Sequence, residues 1–180
     1  VPLTDNLLFR INNNKKKNIL IIGTSKHKNV KNMLIGIKDL DVNLTIIGEL
    51  NHKIKSFCKS NKIYYKNLID IDKNKMRKTL AQNDILLMVS KYEGFGMPII
   101  EAQASGLVVI TSDIEPMKSV VGKDGLIVNY KNPIEITKKI QKLLRNKNYF
   151  LKILKKGKDN SIKYEYKIIN NYYYKLYNKI

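Results

Sequence analysis

Short apolar runs alternate along this chain with longer amphipathic stretches. Asn18-Ile19-Leu20-Ile21-Ile22-Gly23 is one such run, and Leu44-Thr45-Ile46-Ile47-Gly48 repeats its form. Runs without a regular polar face suit strands covered on both sides, as in a parallel sheet. Lys62-Ile63-Tyr64-Tyr65, Asp84-Ile85-Leu86-Leu87-Met88-Val89, Leu107-Val108-Val109-Ile110 and Leu126-Ile127-Val128 extend the series to about six strands. Between them, Val30, Met33, Leu34 and Ile37 recur at helical spacing within 29–39. A polar helix carries Ile54, Phe57 and Cys58, and 72–82 reads as a helix with Met76 and Leu80 inward. From Asn132 the pattern is helical to the end, whereas 1–17 is polar and reads as a linker. Strands alternating with helices predict right-handed crossovers and an α/β, doubly wound parallel sheet with helices on both faces. Ligands of such sheets bind at the carboxyl ends of the strands. The loops after Gly23, Gly48, Tyr65, Val89 and Thr111 are therefore the candidate site.

Composition narrows the class. The length of 180 residues fits one domain, and 43% hydrophobic content supports a real core. Cys58 is the sole cysteine, so an intrachain disulfide is excluded. No run reaches the roughly 18 apolar residues of a membrane span. The chain starts at Val1 without a signal peptide, which predicts a piece of a longer protein.

Lys and Arg number 34 against 15 Asp and Glu, a formal charge of +19. Arginine occurs only at Arg10, Arg77 and Arg145, so the field is diffuse lysine charge. Such a field attracts phosphates, anionic lipid or nucleic acid without specificity. The abundance of Lys, Asn and Ile together also fits a compositional bias of the source. No helix-turn-helix pattern or aromatic platform appears, so no specific nucleic-acid partner is expected. A G-x-G-x-x-G after the first strand and a Walker motif are both absent.

The stretch Ser90-Lys91-Tyr92-Glu93-Gly94-Phe95-Gly96-Met97-Pro98-Ile99-Ile100-Glu101-Ala102 carries the most chemistry. It runs from the fourth strand into a helix, with Pro98 suited to the first helical turn and Gly106 to the helix end. Gly94 and Gly96 bracket Phe95 and permit close approach of a ligand. Free N–H groups around Gly96 to Ile99 make an anion site, for which phosphate fits best. Glu93 and Glu101 flank it, and a carboxylate accepts paired bonds from vicinal sugar hydroxyls. Either glutamate alone also suits a plain role in balancing the helix dipole.

Glu93-Gly94-Phe95-Gly96-x-Pro98-x-x-Glu101-Ala102 resembles the E-x7-E signature of retaining GT-B glycosyltransferases of family 4, the glycosyl transferases group 1. The likeness continues through Ser105–Ser112 and Gly122–Val128. Ile22-Gly23-Thr24 with Lys28-Asn29 resembles the turn after the first donor-domain strand, and Tyr174-Lys175-Leu176-Tyr177 is similar to the C-terminal helix. The resemblance implies one half of a GT-B fold, with 18–180 as the nucleotide-sugar donor domain. A missing N-terminal acceptor domain would precede it.

The resemblance also assigns roles. Glu93 would be the catalytic residue, contacting hexose hydroxyls. Lys28, Gly94, Phe95, Gly96, Met97 and Glu101 would bind the donor. Lys28 would sit by the diphosphate and Glu101 by the ribose. No cofactor and no metal are implied; the substrate would be a UDP- or GDP-sugar. A cytoplasmic enzyme of surface polysaccharide or glycolipid synthesis is expected, with the fragment inactive alone. Its basic surface would dock on an anionic membrane at the inner face of the cell. A non-catalytic nucleotide-sugar or anion-binding module, or half of a split enzyme, is the alternative. Two departures stand out: Thr24 where the family often has Arg, with Lys26 and His27 as substitute cations or solvated residues, and Lys118-Ser119 where Pro-Glu is common. Tyr164, Tyr166, Tyr172, Tyr173, Tyr174 and Tyr177 either cover the helix layer or lie exposed where the partner domain would sit.

Overall fold

The structure is a computed structural model that describes residues 16–177. Strands β1 (Lys17–Ile22), β2 (Val42–Ile47), β3 (Lys66–Leu68), β4 (Ile85–Met88), β5 (Val108–Ser112) and β6 (Leu126–Val128) form one sheet. Between them lie a 3-10 turn (Lys26–Lys28) and helices α1 (Val30–Ile37), α2 (His52–Ser60), α3 (Lys73–Gln82), α4 (Met97–Ala104) and α5 (Met117–Val120). Helices α6 (Pro133–Arg145), α7 (Lys147–Ile162) and α8 (Tyr166–Tyr177) complete the chain. All pairings are parallel, and the strand order is β3-β2-β1-β4-β5-β6. The order reverses between β1 and β4, which makes the crevice at their carboxyl ends the expected ligand position.

The period-2 alternation of the strands sorts side chains into two cores. Ile19, Ile21, Leu44, Ile46, Ile85, Leu87, Val108 and Ile110 face α1, α2 and α6. Leu20, Ile47, Leu86, Met88 and Val109 face α3, α4 and α5. Helix α7 serves both layers: Phe150, Ile153 and Leu154 join the first core, and Asn160 reaches Gln103 of α4 at 2.9 Å. Asparagine, abundant in the sequence, caps three of the helices. Asn51, Asn132 and Asn146 accept from Ile54, Ile134 and Tyr149 N–H groups respectively.

Three elements differ from expectation. The third strand is Lys66–Leu68, not Lys62–Tyr65. Lys62 has φ 52, and the N–H groups of Lys62 and Ile63 donate to Lys59 and Cys58 carbonyls. Those residues close α2 in a Schellman turn, and only afterwards does the chain pair with β2. The one-turn α5 was not anticipated; it buries Met117 and Val120. Strand β1 begins at Lys17, one residue before the expected start, and the remaining expected linker, 1–15, lies outside the described residues. Of the C-terminal tyrosines, Tyr164 packs on the second core while Tyr166, Tyr174 and Tyr177 are exposed. The side chains of Tyr172 and Tyr173 lie outside the described residues. No described helix is long and apolar enough to cross a membrane.

Asp84 fastens the amino edge of the sheet, opposite the crevice. It is 3% exposed; Oδ2 accepts from Asn18 N–H at 2.8 Å, and Oδ1 lies 3.4 Å from Lys17 Nζ. Burial raises its carboxyl above the usual range, outweighing the Asn18 and Lys17 contacts that lower it. Asp84→Ala leaves the Asn18 N–H unpaired beside β4. Denaturant unfolding should show a loss of about 1–3 kcal/mol; an unchanged midpoint would remove Asp84 from this role.

Candidate functional site

The turn after β1 and the loop after β4 meet at the switch point. Gly23 turns the chain with φ +84, and its N–H donates to Ile47 O at 2.8 Å. A Cβ at this position would stand 2.9 Å from Lys28 Cε. Glycine here thus makes room for the lysine stem, which lies across the turn. Thr24, at the position where the family often has Arg, donates its hydroxyl to Glu49 O at 2.6 Å and ties the turn to the loop after β2. Lys26 is exposed, and His27 stacks on Tyr92 with ring centroids 4.7 Å apart. His27 is therefore packed within the rim of the site.

The β4–α4 loop is secured from both sides. Lys91 N–H donates to His27 O at 2.8 Å, joining it to the turn after β1. On the other side, Thr111 Oγ1 donates to Met88 O at 2.9 Å and Ser112 Oγ to Ser90 O at 2.5 Å. The loop thereby presents Glu93 to Lys28, whose Nζ lies 2.7 Å from Glu93 Oε1. Both side chains are largely buried, at 16% and 12% exposure. Lys28 and Glu93, which the resemblance assigns to different parts of a ligand, hold each other in the structure.

Beyond Glu93 the loop is exposed at Gly94 and Phe95 and buried again at Gly96. Gly94 has nothing within 4 Å of a Cβ position. Gly96 has φ +96 and starts α4, with Pro98 in the first turn. The N–H groups of Gly94, Phe95, Gly96 and Met97 donate to no acceptor among the described residues. Ile99 differs from expectation: its N–H is taken by Gly96 O at 2.9 Å, so the free donors end at Met97. Phe95 is half-exposed and meets Tyr164 edge-on at 6.2 Å, bracing the loop against the α7–α8 junction. The Glu101 carboxylate, one turn into α4, has no partner among the described residues, and burial raises its pKa above the usual range. Leu107 and Gly106 N–H groups close α4 onto Ala102 and Gln103 carbonyls, with Gly106 at φ +85 as expected for a helix end.

Sequence reasoning missed Asn29, Thr111 and Ser112 as supports of the site. Polar residues at the end of a buried strand were the available signal for Thr111 and Ser112. In the loop after β5, Glu115 Oε2 accepts from Ser119 N–H at 3.2 Å, a local contact within the turn that forms α5. A hollow of about 490 Å³ lies at the amino edge, lined by Lys16, Lys38, Tyr64 and Tyr65 among others. It sits beside the half of β2 that the short β3 leaves unpaired, away from the crevice chemistry.

Lys28, Glu93 and the open amides thus gather at the switch point, where doubly wound sheets place their ligand crevice. Comparison gives the family: residues 5–163 match the glycosyl transferases group 1 model, and the chain belongs to that family. Among curated relatives, an uncharacterized protein of the cps region of Klebsiella pneumoniae is 33% identical over 125 residues, 66% of this chain and 34% of that protein. The N,N'-diacetylbacillosaminyl-diphospho-undecaprenol alpha-1,3-N-acetylgalactosaminyltransferase of Campylobacter jejuni is 33% identical over 104 residues, 56% of this chain and 28% of that protein. The chain thus spans about a third of these relatives' length. Sucrose-phosphate synthase from Thermosynechococcus elongatus superposes with TM-score 0.82 at 17% identity, over 99% of this chain and 50% of that one. The C-terminal domain of a glycosyl transferase group 1 protein from Francisella tularensis superposes with TM-score 0.74 at 21% identity, over 92% and 99%. The architecture is one Rossmann-like half of a GT-B fold.

Glu101 gives a pH signature. Its native pKa is raised, so the folded chain holds this proton more tightly than the unfolded chain does. Its ionisation therefore costs stability as pH rises above the usual carboxylate range, and the cost vanishes in acid. Glu101→Gln should melt higher than wild type at pH 7.5, with the gap closing toward pH 4. A Glu101→Gln chain that melts lower at pH 7.5 would contradict this account.

Proposed function

We propose that this chain is the donor-binding half of a retaining, metal-independent hexosyltransferase that takes a nucleoside diphosphate sugar. The observation that carries this is the Lys28–Glu93 pair, 2.7 Å apart, beside the free amides of Gly94–Met97 in the β1–β4 crevice. On donor binding, the Lys28 ammonium turns to the diphosphate. It joins the amino ends of α1 and α4, which start at the same crevice and carry partial positive charge. When the bond from the anomeric carbon to the diphosphate oxygen breaks, negative charge grows on the leaving group. A lysine and aligned N–H groups stabilise that charge without further reorganisation. Glu93, released from Lys28, faces the sugar hydroxyls, and Glu101 takes the ribose hydroxyls. The resemblance of the E-x7-E stretch supports retention and metal independence. UDP- and GDP-sugars are the candidate donors.

The acceptor would be held by a second domain. Surface polysaccharide or glycolipid assembly is the proposed setting; it is supported by relatives named for a diphospho-undecaprenol acceptor and for a serotype-specific mannosyltransferase of Escherichia coli. A lipid-linked acceptor agrees with a basic chain working at the inner face of the cell membrane.

Calorimetric titration with UDP, GDP and ADP tests the donor function. One of them should bind at millimolar concentration or below, equally well in EDTA. Lys28→Ala should weaken it about 10- to 100-fold, the worth of a charge-assisted hydrogen bond. Absence of binding by all three, or binding indifferent to Lys28→Ala, would contradict the proposal.

A further inference from the structure

We propose that Asn29 is a positioning residue that sets where the Lys28 ammonium stands; this rests on the diphosphate role given to Lys28 above. Asn29 lies between the 3-10 turn and α1 with φ 58 and ψ 31. Left-handed backbone at this point swings the chain from Lys28 directly into the helix, and Asn is one of the few L residues that adopt it readily.

An Asn at a helix start ordinarily caps the first turn with its side-chain oxygen. Asn29 makes no such cap. Its amide nitrogen instead donates to Val89 O at 3.0 Å and to Tyr130 O at 2.8 Å. Both amide hydrogens are thereby used on carbonyls from two different parts of the sheet. One lies at the end of β4 and the other just beyond β6. The residue is 8% exposed, so these bonds are shielded from water. Its own carbonyl accepts from Asn32 and Met33 N–H groups at 3.1 and 3.3 Å, which starts α1.

The consequence falls on Lys28. A lysine ammonium ends a flexible stem, so its position depends on where its backbone is fixed and on what the stem lies against. The stem lies over Gly23, and the backbone is fixed by its neighbour Asn29 to Val89. Val89 leads through Ser90–Tyr92 into Glu93. One side chain thus references the cation to the strand that carries the carboxylate and the free amides. Glycine at 29 keeps the left-handed backbone and loses the clamp. Aspartate keeps a short side chain that tolerates this backbone, but has no hydrogen to give to either carbonyl.

The test is a double-mutant cycle on the chain as it stands. Wild type, Asn29→Gly, Lys28→Ala and the double variant are titrated with UDP, GDP and ADP. Asn29→Gly should weaken the nucleotide that wild type binds about five- to tenfold, with no further loss once Lys28 is alanine, the sign of full coupling. In the free protein, acetylation of Lys28 followed by mass spectrometry should speed up in Asn29→Gly while the other lysines keep their rates. An equal loss in both backgrounds, unchanged affinity in Asn29→Gly, or a rise in acetylation at all lysines would assign Asn29 a purely structural role and overturn the proposal. Failure of wild type to bind any of the three nucleotides overturns the donor-site function itself, and this proposal with it. Should Asn29→Gly not fold, Asn29→Asp takes its place in the cycle; if neither folds, the role is structural and the proposal fails.

Discussion

Lys28 Nζ stands 2.7 Å from Glu93 Oε1 at the point where the strand order reverses. The two residues are 65 positions apart in sequence, and they meet because β1 and β4 are neighbours in a parallel sheet. The rest of the site follows from that adjacency. The His27–Lys91 backbone bond and the Asn29 amide fix the turn to the loop from one side. Thr111 and Ser112 fix the loop from the other. A partly buried ion pair of this kind pays a desolvation cost that is tolerable only when both partners are held in place. The lacing around it does that, while the Gly94–Met97 N–H groups are left without an acceptor among the described residues.

The charge balance also looks different once the structure is considered. A formal +19 gives an overall field, but at the crevice the charge of Lys28 is opposed by Glu93. In the function proposed above, a dianionic diphosphate would compete for that lysine on better terms than a single carboxylate, because it offers more charge and more acceptor oxygens. Asn, which first reads as compositional bias, is put to structural use at several points. It caps α2, α6 and α7, and at Asn29 it bridges β4 and the segment after β6.

Strands buried on both faces were legible in the sequence because nearly every position had to be apolar, as in Ile85-Leu86-Leu87-Met88. The edge strand was not. Lys66-Asn67-Leu68 is short and polar, and it counts as a strand only through its pairing with β2, while Ile63 before it closes a helix and, with Tyr65, packs on the core. In the site, the glycines and the two glutamates were legible because their spacing on a strand-to-helix junction is unusual. The Lys28–Glu93 contact was not, since no local pattern reports a pairing across a crossover. In the sequence Asn29 reads only as part of a turn, because the two carbonyls bonded by its amide come from segments 60 and 101 positions away.

The central claim is that the β1–β4 crevice is where a nucleoside diphosphate binds. Amide chemical-shift mapping of the isotope-labelled chain during titration with UDP or GDP tests it most directly. The account predicts that the largest shifts fall on Gly94, Phe95, Gly96 and Met97, with Lys28 and Asn29 following at the same ligand concentration. Shifts centred on Lys62–Lys66 at the opposite edge, with the Gly94–Met97 amides unmoved, would contradict it.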